Sequence, residues 1–487
     1  MATGEVVIIV FEKKTVQVIY GIIMSPRLVG VVHGPTLAAA RDQISQAMPY
    51  ADLLEIRLDL FDPKDLDEIK QLPRKKPFLF TFRKKSQGGG RDLSEQDRLA
   101  LFEHALVHEP EYCDIETDTE LTFFDRIKNK YPKMQIIGSF HALEKMPEDL
   151  EACFEKMQKP QISFYKMAVA TPSANDALQL LAFAKEHEHL TCIGLGPDAS
   201  FSRILAPIIG VDFCYASIEE SSNGLGQVSL KTLCDVYQFK SKNQETKIYA
   251  LLGDPVDKSV GHLFHNRLFS GEAIYIKIHL AIPELTRFFS LMRKFPFRGF
   301  SITMPLKEQL HRYLTRIEPV TALIGSVNTI VIEGEHLIGH NTDGRAVVAV
   351  LLQRLKTLKD RKVTLIGAGG VARAIAYELV QQGASVLAVN RTFERAEVLA
   401  KAFGCKAGKL DELEDSQAEI LINTVPVDLL FSPELFSHSQ IVIDLVYWEQ
   451  ETPLLKMAKE RGATCIGGME IFEEQAREQQ KIWFGKK

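Results

Sequence analysis

The chain is predicted to be an α/β protein, with an N-terminal (β/α)8 barrel, a second α/β unit and a third unit of Rossmann type. Three observations carry this. Eight short β-like runs alternate with helical patterns from residue 28 to about 240, and even spacing favours closure into a barrel over an open doubly wound sheet. A polar stretch without periodicity, QFKSKNQETK (238–247), then reads as a linker. Beyond it, KVTLIGAGGVARAIAYEL (362–379) runs from a strand through a glycine turn into a helix, and a second strand, SVLAVNRT, follows.

The bulk properties agree with several domains in one chain. A length of 487 residues exceeds one ordinary core, and 46% apolar with 25% charged residues is the balance of a globular protein. A net charge of −5 gives no electrostatic reason to expect nucleic acid or an anionic membrane as partner. Seven cysteines without CxxC pairs indicate neither zinc nor a disulfide framework, so a reducing, cytoplasmic setting and no metal are expected.

Residues 1–25 form an extension. VVIIVF is flanked by Glu5 and by Glu12-Lys13-Lys14, too short for a secretory or membrane segment, and the stretch lacks the Arg and Ser of a transit peptide. A strand or hairpin ahead of the first domain is expected. The barrel, 26–240, follows with LVGVVHG (28–34), LLEIRLDL (53–60), FLFTFR (78–83), YCDIET (112–117), QIIGSFH (135–141), ISFYKMAV (162–169), LTCIGLG (190–196) and VDFCYAS (211–217). TLAAARDQISQAM and SANDALQLLAFAKEH show the helical pattern between strands.

Barrels carry their chemistry at the C-terminal strand ends. There the sequence places Glu55, Arg57 and Asp59 on one face of the second strand, Arg83 closing the third, His141 closing the fifth and Lys166 within the sixth. Arg203 follows the seventh at a helix start, and Gln227 lies after the eighth in SSNGLGQ. Singly, these read as an ion pair, a core histidine or a surface arginine. Converging on one rim, they describe a pocket for a small hydroxylated anion beside an amine nucleophile, since a lysine in an apolar run must be paired or give up its proton.

ExRxD, FTFR before a glycine-rich loop, SFH, YKMA and SR, in this order over essentially all of residues 25–240, resemble type I 3-dehydroquinate dehydratase. The resemblance implies an imine between Lys166 and the substrate ketone, with His141 removing the adjacent proton and returning one to the departing hydroxyl. It assigns Arg203 to the substrate carboxylate, and Glu55, Arg57, Arg83 and Gln227 to hydroxyls or the carboxylate. Two departures stand out. Gln87 replaces the family's glutamate that orients the histidine, so it can hydrogen-bond but cannot stabilise an imidazolium by charge. SSNGLGQ replaces SAPGQ, with Ser222 or Asn223 in the serine's place.

IYALLGDPV (248–256) opens the second unit, 247–343, and the third spans 344–468. In IGAGGVARA, Gly367, Gly369 and Ala372 form G-x-G-x-x-A, with Gly370 opening the helix, so backbone N–H groups can approach a pyrophosphate. After the next strand stand Asn390, Arg391 and Thr392; an arginine instead of a carboxylate suits a 2′-phosphate, which favours NADP over NAD. Lys307 in GFSITMPLKEQL (299–310) and Asp343 in IGHNTDG (338–344) are a candidate acid/base pair.

These motifs, with IGSVNTI (324–330), NRT and IGGMEIFEEQA, resemble shikimate dehydrogenase over roughly residues 246–487. Implied are proton transfer by Lys307 and Asp343, and Ser259, Thr303, Asn328 and Gln475 on the substrate's hydroxyls and carboxylate, with the C-terminal helix 469–487 packing back on the substrate-binding domain. Ser301 stands where many relatives have asparagine. In KSVGH (258–262) the second serine of the family motif is Gly261. Losing a hydroxyl donor to a charged group costs roughly 1.5–3 kcal/mol unless a neighbour such as Lys258 or His262 compensates. NTVPVDLL (423–430) also departs from the family pattern.

Together the resemblances imply a bifunctional shikimate-pathway enzyme that takes 3-dehydroquinate to 3-dehydroshikimate and then, with NADPH, to shikimate. Two alternatives compete. Gly261 opens room for quinate in the second half, or the chain is a non-catalytic sensor of pathway intermediates. The sensor lacks a DNA-binding motif or basic patch, and it would be expected to lose the proton-transfer residues that are all present here.

Overall fold

The structure is a computed structural model, and it describes residues 5–12, 15–22, 25–220, 225–269, 271–416, 418–425, 435–437, 440–447 and 451–485. Ser222, Asn223 and residues 426–430 of the NTVPVDLL segment lie outside the described residues. Near the N-terminus, β1 (Glu5–Glu12) and β2 (Thr15–Ile22) pair antiparallel from Glu5↔Ile22 to Glu12↔Thr15, the hairpin expected ahead of the first domain.

All eight predicted runs of the first half become strands: β3 (Arg27–Val32), β4 (Leu53–Arg57), β5 (Phe78–Thr81), β6 (Tyr112–Glu116), β7 (Gln135–Ala142), β8 (Phe164–Ala170), β9 (Leu190–Leu195) and β10 (Phe213–Ser217). They form one parallel sheet in the order β10-β3-β4-β5-β6-β7-β8-β9. At its two ends the Phe213 amide of β10 donates to Thr191 Oγ1 of β9 at 3.4 Å. Thr36 and Ser173 cap the helices Leu37–Ala47 and Ala174–Lys185 by accepting from backbone amides three residues on, which starts both helices where the sequence pattern does.

Inside this array Val29, Leu53, Leu79, Ile137, Ala168, Ile193, Phe213 and Tyr215 form an apolar core. At the N-terminal strand ends the Arg27 guanidinium lies over the rings of Tyr112, Phe164 and Phe213 at 5.4–5.8 Å. That closes one end with a cation already satisfied by aromatic faces, leaving the other end for chemistry.

Two expectations need correction. Asp59 is not on the second barrel strand: β4 ends at Arg57, where ψ is 80°, and the chain turns into the short helix Leu58–Leu60. The turn brings the Asp59 carboxylate back onto Arg57 in a bidentate pair at 2.8 and 2.9 Å. The stretch 238–247 is no free linker either. Phe239 and Lys242 are buried, Lys242 Nζ donates to the Gly271 and Ala273 carbonyls, and a strand already begins at Lys247.

The next strands are β11 (Lys247–Gly253), β12 (Ala273–His279), β13 (Phe297–Ile302), β14 (Arg316–Ile317), β15 (Thr329–Glu333) and β16 (His336–His340), in a mixed sheet of order β12-β11-β13-β15-β16-β14. The last sheet holds β17 (Lys362–Ile366), β18 (Ser385–Val389), β19 (Lys406–Gly408), β20 (Ile420–Asn423), β21 (Ile441–Asp444) and β22 (Thr464–Gly467). Its order, β19-β18-β17-β20-β21-β22, is all parallel. This doubly wound order reverses between β17 and β20, the place where such sheets receive ligands.

The C-terminal helix Gly468–Phe484 is tied to the second sheet: Trp483 Nε1 donates to the Ile330 carbonyl, and Gln479 bridges Ser301 and Thr329. The chain divides into two compact units, one of Met1–Lys247, Phe269–Ile278 and Thr286–Pro296, the other of Ile248–Leu268, His279–Leu285 and Phe297–Lys487. Among the described residues no helix is long and apolar enough to cross a membrane.

Candidate active sites

In the first unit, Lys166 points inward from β8 and is 5% exposed. Its Nζ lies 3.4 Å from Glu55 Oε1, 3.3 Å from Asp114 Oδ2 and 3.7 Å from the centroid of the Tyr215 ring. The amine is therefore desolvated and also paired. Glu55 accepts in addition from Thr81 Oγ1 at 2.7 Å, and Asp114 from Ser139 Oγ at 2.5 Å.

Arg83 reaches into the same layer: Nη2 donates to Asp114 at 2.7 Å, and Nη1 to Ser139 Oγ and Glu116. Burial alone would lower this guanidinium's pKa, but Asp114 and Glu116 outweigh it and hold it above the ordinary arginine value. Burial would likewise raise the Asp114 carboxyl, yet Arg83 and Lys166 keep it below the usual carboxylate range. Glu116 also receives Arg98 at 3.0 Å and the Lys84 amide at 2.9 Å. A buried network of this kind is tolerable only because each member is satisfied.

His141, at the end of β7, is positioned by the loop after β5. There Gly88 has φ +90°, and a Cβ at Gly89 would stand 2.1 Å from the Arg83 carbonyl oxygen. Only glycine lets the chain fold back so tightly and present Gln87. Gln87 Oε1 accepts the His141 amide at 2.9 Å and lies 3.2 Å from Nδ1. A carbonyl oxygen only accepts, so Nδ1 carries the proton and Nε2 the lone pair. Burial, then Arg83 and Lys166, push the imidazole well below its ordinary pKa.

The three arginines differ. Arg57 is held by Asp59 and Arg83 by Asp114 and Glu116, whereas Arg203 is 6% exposed and among the described residues donates to the Gly194 and Gly226 carbonyls alone. No described carboxylate pairs with it, and burial pulls its pKa down to about 10. An unpaired buried cation is costly, so this position is complementary to an anion brought by a ligand. Gln227 follows Gly226 directly.

In the second unit, Lys307 Nζ donates to Asp343 Oδ2 at 2.6 Å, and the other carboxylate oxygen accepts from Asn328 and Gln475, both at 2.8 Å. Thr342 N donates to Asn328 Oδ1, and the Asp343 amide to Asn341 Oδ1, which fixes the carboxylate at the start of the helix Asp343–Leu352. Thr303 follows β13, its amide bonded to the Leu252 carbonyl. Ser259 Oγ accepts the Gly261 amide at 3.2 Å, and the Ser259 side chain also shares a hydrogen bond with the Tyr447 phenol.

The glycine turn after β17 has the geometry of a phosphate cradle. Gly367 has φ +114°, and a Cβ there would meet Thr424 Oγ1 at 2.2 Å; a Cβ at Gly369 would meet nothing within 4 Å. Open space therefore faces the N-terminus of the helix Gly370–Gln381, with Ala372 fully buried behind it. After β18, Asn390 Nδ2 closes on the Thr392 carbonyl, and Arg391 is exposed.

Comparison with known proteins matches residues 30–244 to type I 3-dehydroquinase, 251–330 to the shikimate dehydrogenase substrate binding domain and 349–431 to shikimate / quinate 5-dehydrogenase. The bifunctional 3-dehydroquinate dehydratase/shikimate dehydrogenase of Arabidopsis thaliana is 32% identical over 471 residues, covering 89% of this chain and 78% of its own. The chain belongs to this bifunctional family. The shikimate biosynthesis protein AroDE of Chlamydia pneumoniae is also 32% identical, across 94% of this chain and 95% of its own. A shikimate dehydrogenase (NADP(+)) of Aquifex aeolicus is 32% identical over 252 residues, 50% of this chain and 93% of its own.

Of the residues expected from sequence, Glu55, Arg83 and Lys166 meet in one buried cluster with Arg57 and His141 in electrostatic reach, and Lys307, Asn328, Asp343 and Gln475 form another. Missed were Asp114, Glu116, Arg98, Ser139 and Tyr215 in the dehydratase barrel, and Tyr447 and Gln479 in the dehydrogenase half. The signal for Asp114 and Glu116 was present in YCDIET, where acids alternate inward on a buried strand. Tyr447 carries no local signal; only the fold brings it to Ser259.

Proposed function

We propose that the chain catalyses two consecutive reactions, dehydration of 3-dehydroquinate to 3-dehydroshikimate in the barrel and NADPH-dependent reduction of that product to shikimate in the second half. The observation that carries it is the barrel cluster: a buried primary amine, a histidine whose Nε2 keeps its lone pair and a buried guanidinium that no described carboxylate pairs with.

Lys166 adds to the substrate ketone; a C–N bond forms and the carbonyl oxygen leaves as water, giving an iminium that acidifies the neighbouring C–H. His141 Nε2 takes that proton, the electron pair flows into the iminium as an enamine, and the hydroxyl leaves with the proton His141 returns. Water then releases the enone and the free amine. Arg203 holds the carboxylate, with Glu55, Arg57, Arg83 and Gln227 setting the charge and hydrogen bonding around the ring.

In the second half, Lys307 and Asp343 supply and hold the proton that the reduced carbonyl oxygen gains. Asn328 and Gln475 fix the carboxylate so that Lys307 faces the substrate. Ser259 and Thr303 address the substrate's oxygens, and Tyr447 brings a hydroxyl beside Ser259 where Gly261 leaves none. NADPH, when bound, provides the hydride. Gly367, Gly369, Gly370 and Ala372 fit its pyrophosphate, and Asn390, Arg391 and Thr392, with no carboxylate among them, fit its 2′-phosphate. Residues 26–240, 247–343 and 344–468, with helix 469–487 returning to the second, are the functional divisions we assign. The comparisons favour neither the quinate nor the sensor alternative.

One cuvette tests the reading. Purified protein with 3-dehydroquinate should raise the absorbance of the conjugated enone, and NADPH added afterwards should be oxidised. No enone would refute the barrel assignment; enone without oxidation of NADPH would refute the second.

A further inference from the structure

On β10, Tyr215 Oη and Ser217 Oγ are buried and have no hydrogen-bond partner among the described residues. The two residues share the inward face of the strand, in a layer where Glu55, Thr81, Asp114, Ser139 and Arg83 are all mutually satisfied. Buried polar atoms are almost always paired, so an orphan beside a reacting group points to a partner that is not part of the chain.

A second observation concerns the ring. Lys166 Nζ stands over its face, 3.7 Å from the centroid. The ammonium has three N–H bonds to offer Glu55 and Asp114, whereas the iminium formed from it keeps only one. Attraction to an aromatic face needs no N–H and survives that loss. The tether that holds the amine over the ring holds the iminium nitrogen there too, so the ring goes on stabilising its charge when two of the three hydrogen-bond donors are gone.

We propose that Tyr215 is a catalytic residue of the dehydratase site: its ring supports the cationic nitrogen through the covalent stage, and its hydroxyl donates to an oxygen of the bound hydroxy acid. The proposal rests on the Schiff-base reading of Lys166 given above. Burial, then Glu55 and Asp114, hold the phenol well above its ordinary pKa, so it is a donor throughout the neutral range.

The test uses the full chain with 3-dehydroquinate and compares Tyr215→Phe with Tyr215→pentafluorophenylalanine, which has nearly the same volume but a reversed ring quadrupole. Tyr215→Phe should raise KM by about tenfold and leave kcat within about threefold. The fluorinated variant should lower kcat by a further factor of about ten. An unchanged KM for Tyr215→Phe overturns the hydroxyl's role, and equal kcat for the two variants overturns the ring's. Borohydride added during turnover of the unsubstituted protein separates the premises: absence of a reduced adduct on Lys166 removes the Schiff-base reading itself, whereas its presence leaves the Tyr215 result to stand or fall alone.

Discussion

Gln87 decides which nitrogen of His141 keeps its lone pair, and it does so without charge. The pair Nδ1–Oε1 at 3.2 Å and the amide bond at 2.9 Å fix the ring, while burial and two cations keep the imidazole neutral. A base must be unprotonated to act, and a pKa below the ordinary histidine value keeps it so to lower pH. The acid limb of dehydratase kcat/KM is therefore expected below the range of an unperturbed histidine. Gln87→Glu adds an anion at hydrogen-bond distance, which favours the imidazolium, and should move that limb to higher pH. A pH–rate profile of both proteins checks the sign, and a limb that stays put would remove Gln87 from the electrostatics of the base. Lys166, His141 and Arg203 were legible in the sequence because such residue types are unusual in apolar strands and at their ends. That Lys166 pairs with Glu55 and Asp114 was not legible, since these carboxylates lie 111 and 52 positions from it along the chain and meet it only through the fold of the sheet.

The strand–turn–helix after β17 and the helix Gly468–Phe484 show how far local pattern reaches. The first was readable because glycine at that turn has a physical reason: φ +114° at Gly367, and 2.2 Å from its absent Cβ to Thr424 Oγ1. Gly367→Ala must strain the backbone by roughly 1–3 kcal/mol or move the turn. It should raise KM for NADPH at least about tenfold and leave the dehydratase unchanged, measured by the two initial rates. The C-terminal helix was expected to return, but what anchors it was not readable. Trp483 bonds the Ile330 carbonyl and fills the space above Gly299, where an added Cβ would lie 2.5 Å from the indole nitrogen. Trp483→Ala should cost about 3–5 kcal/mol in the unit that holds it, seen as a lowered melting transition. It should also slow the dehydrogenase, because the same helix delivers Gln475 to Asp343. Element ends were harder than elements: β4 stops at Arg57 because Asp59 turns back to pair with it, a contact between side chains that no periodicity encodes.

The candidate site residues divide between the two compact units. Glu55, Arg57, Arg83, His141, Lys166, Arg203 and Gln227 belong to the first, and Ser259, Thr303, Lys307, Asn328, Asp343, Gly367 and Gln475 to the second. Among the described residues the hydrogen bonds that build each cluster stay within its own unit, so damage to one need not reach the other. Lys166→Ala removes the nucleophile and should abolish enone formation while leaving reduction of 3-dehydroshikimate near normal. Asp343→Asn removes the anion that holds Lys307 at 2.6 Å and should slow that reduction by about a hundredfold or more, with dehydration intact. Neither variant alone should carry 3-dehydroquinate through to shikimate at a useful rate. An equimolar mixture of the two should, because the first reaction's product can leave one molecule and enter another. Following shikimate over time in that mixture decides the matter. Recovery of flux shows two independent catalysts on one chain. A mixture that forms 3-dehydroshikimate but no shikimate, with Lys166→Ala also unable to reduce added 3-dehydroshikimate while the unsubstituted protein carries 3-dehydroquinate through to shikimate, would mean that the dehydrogenase accepts the intermediate only from its own working barrel.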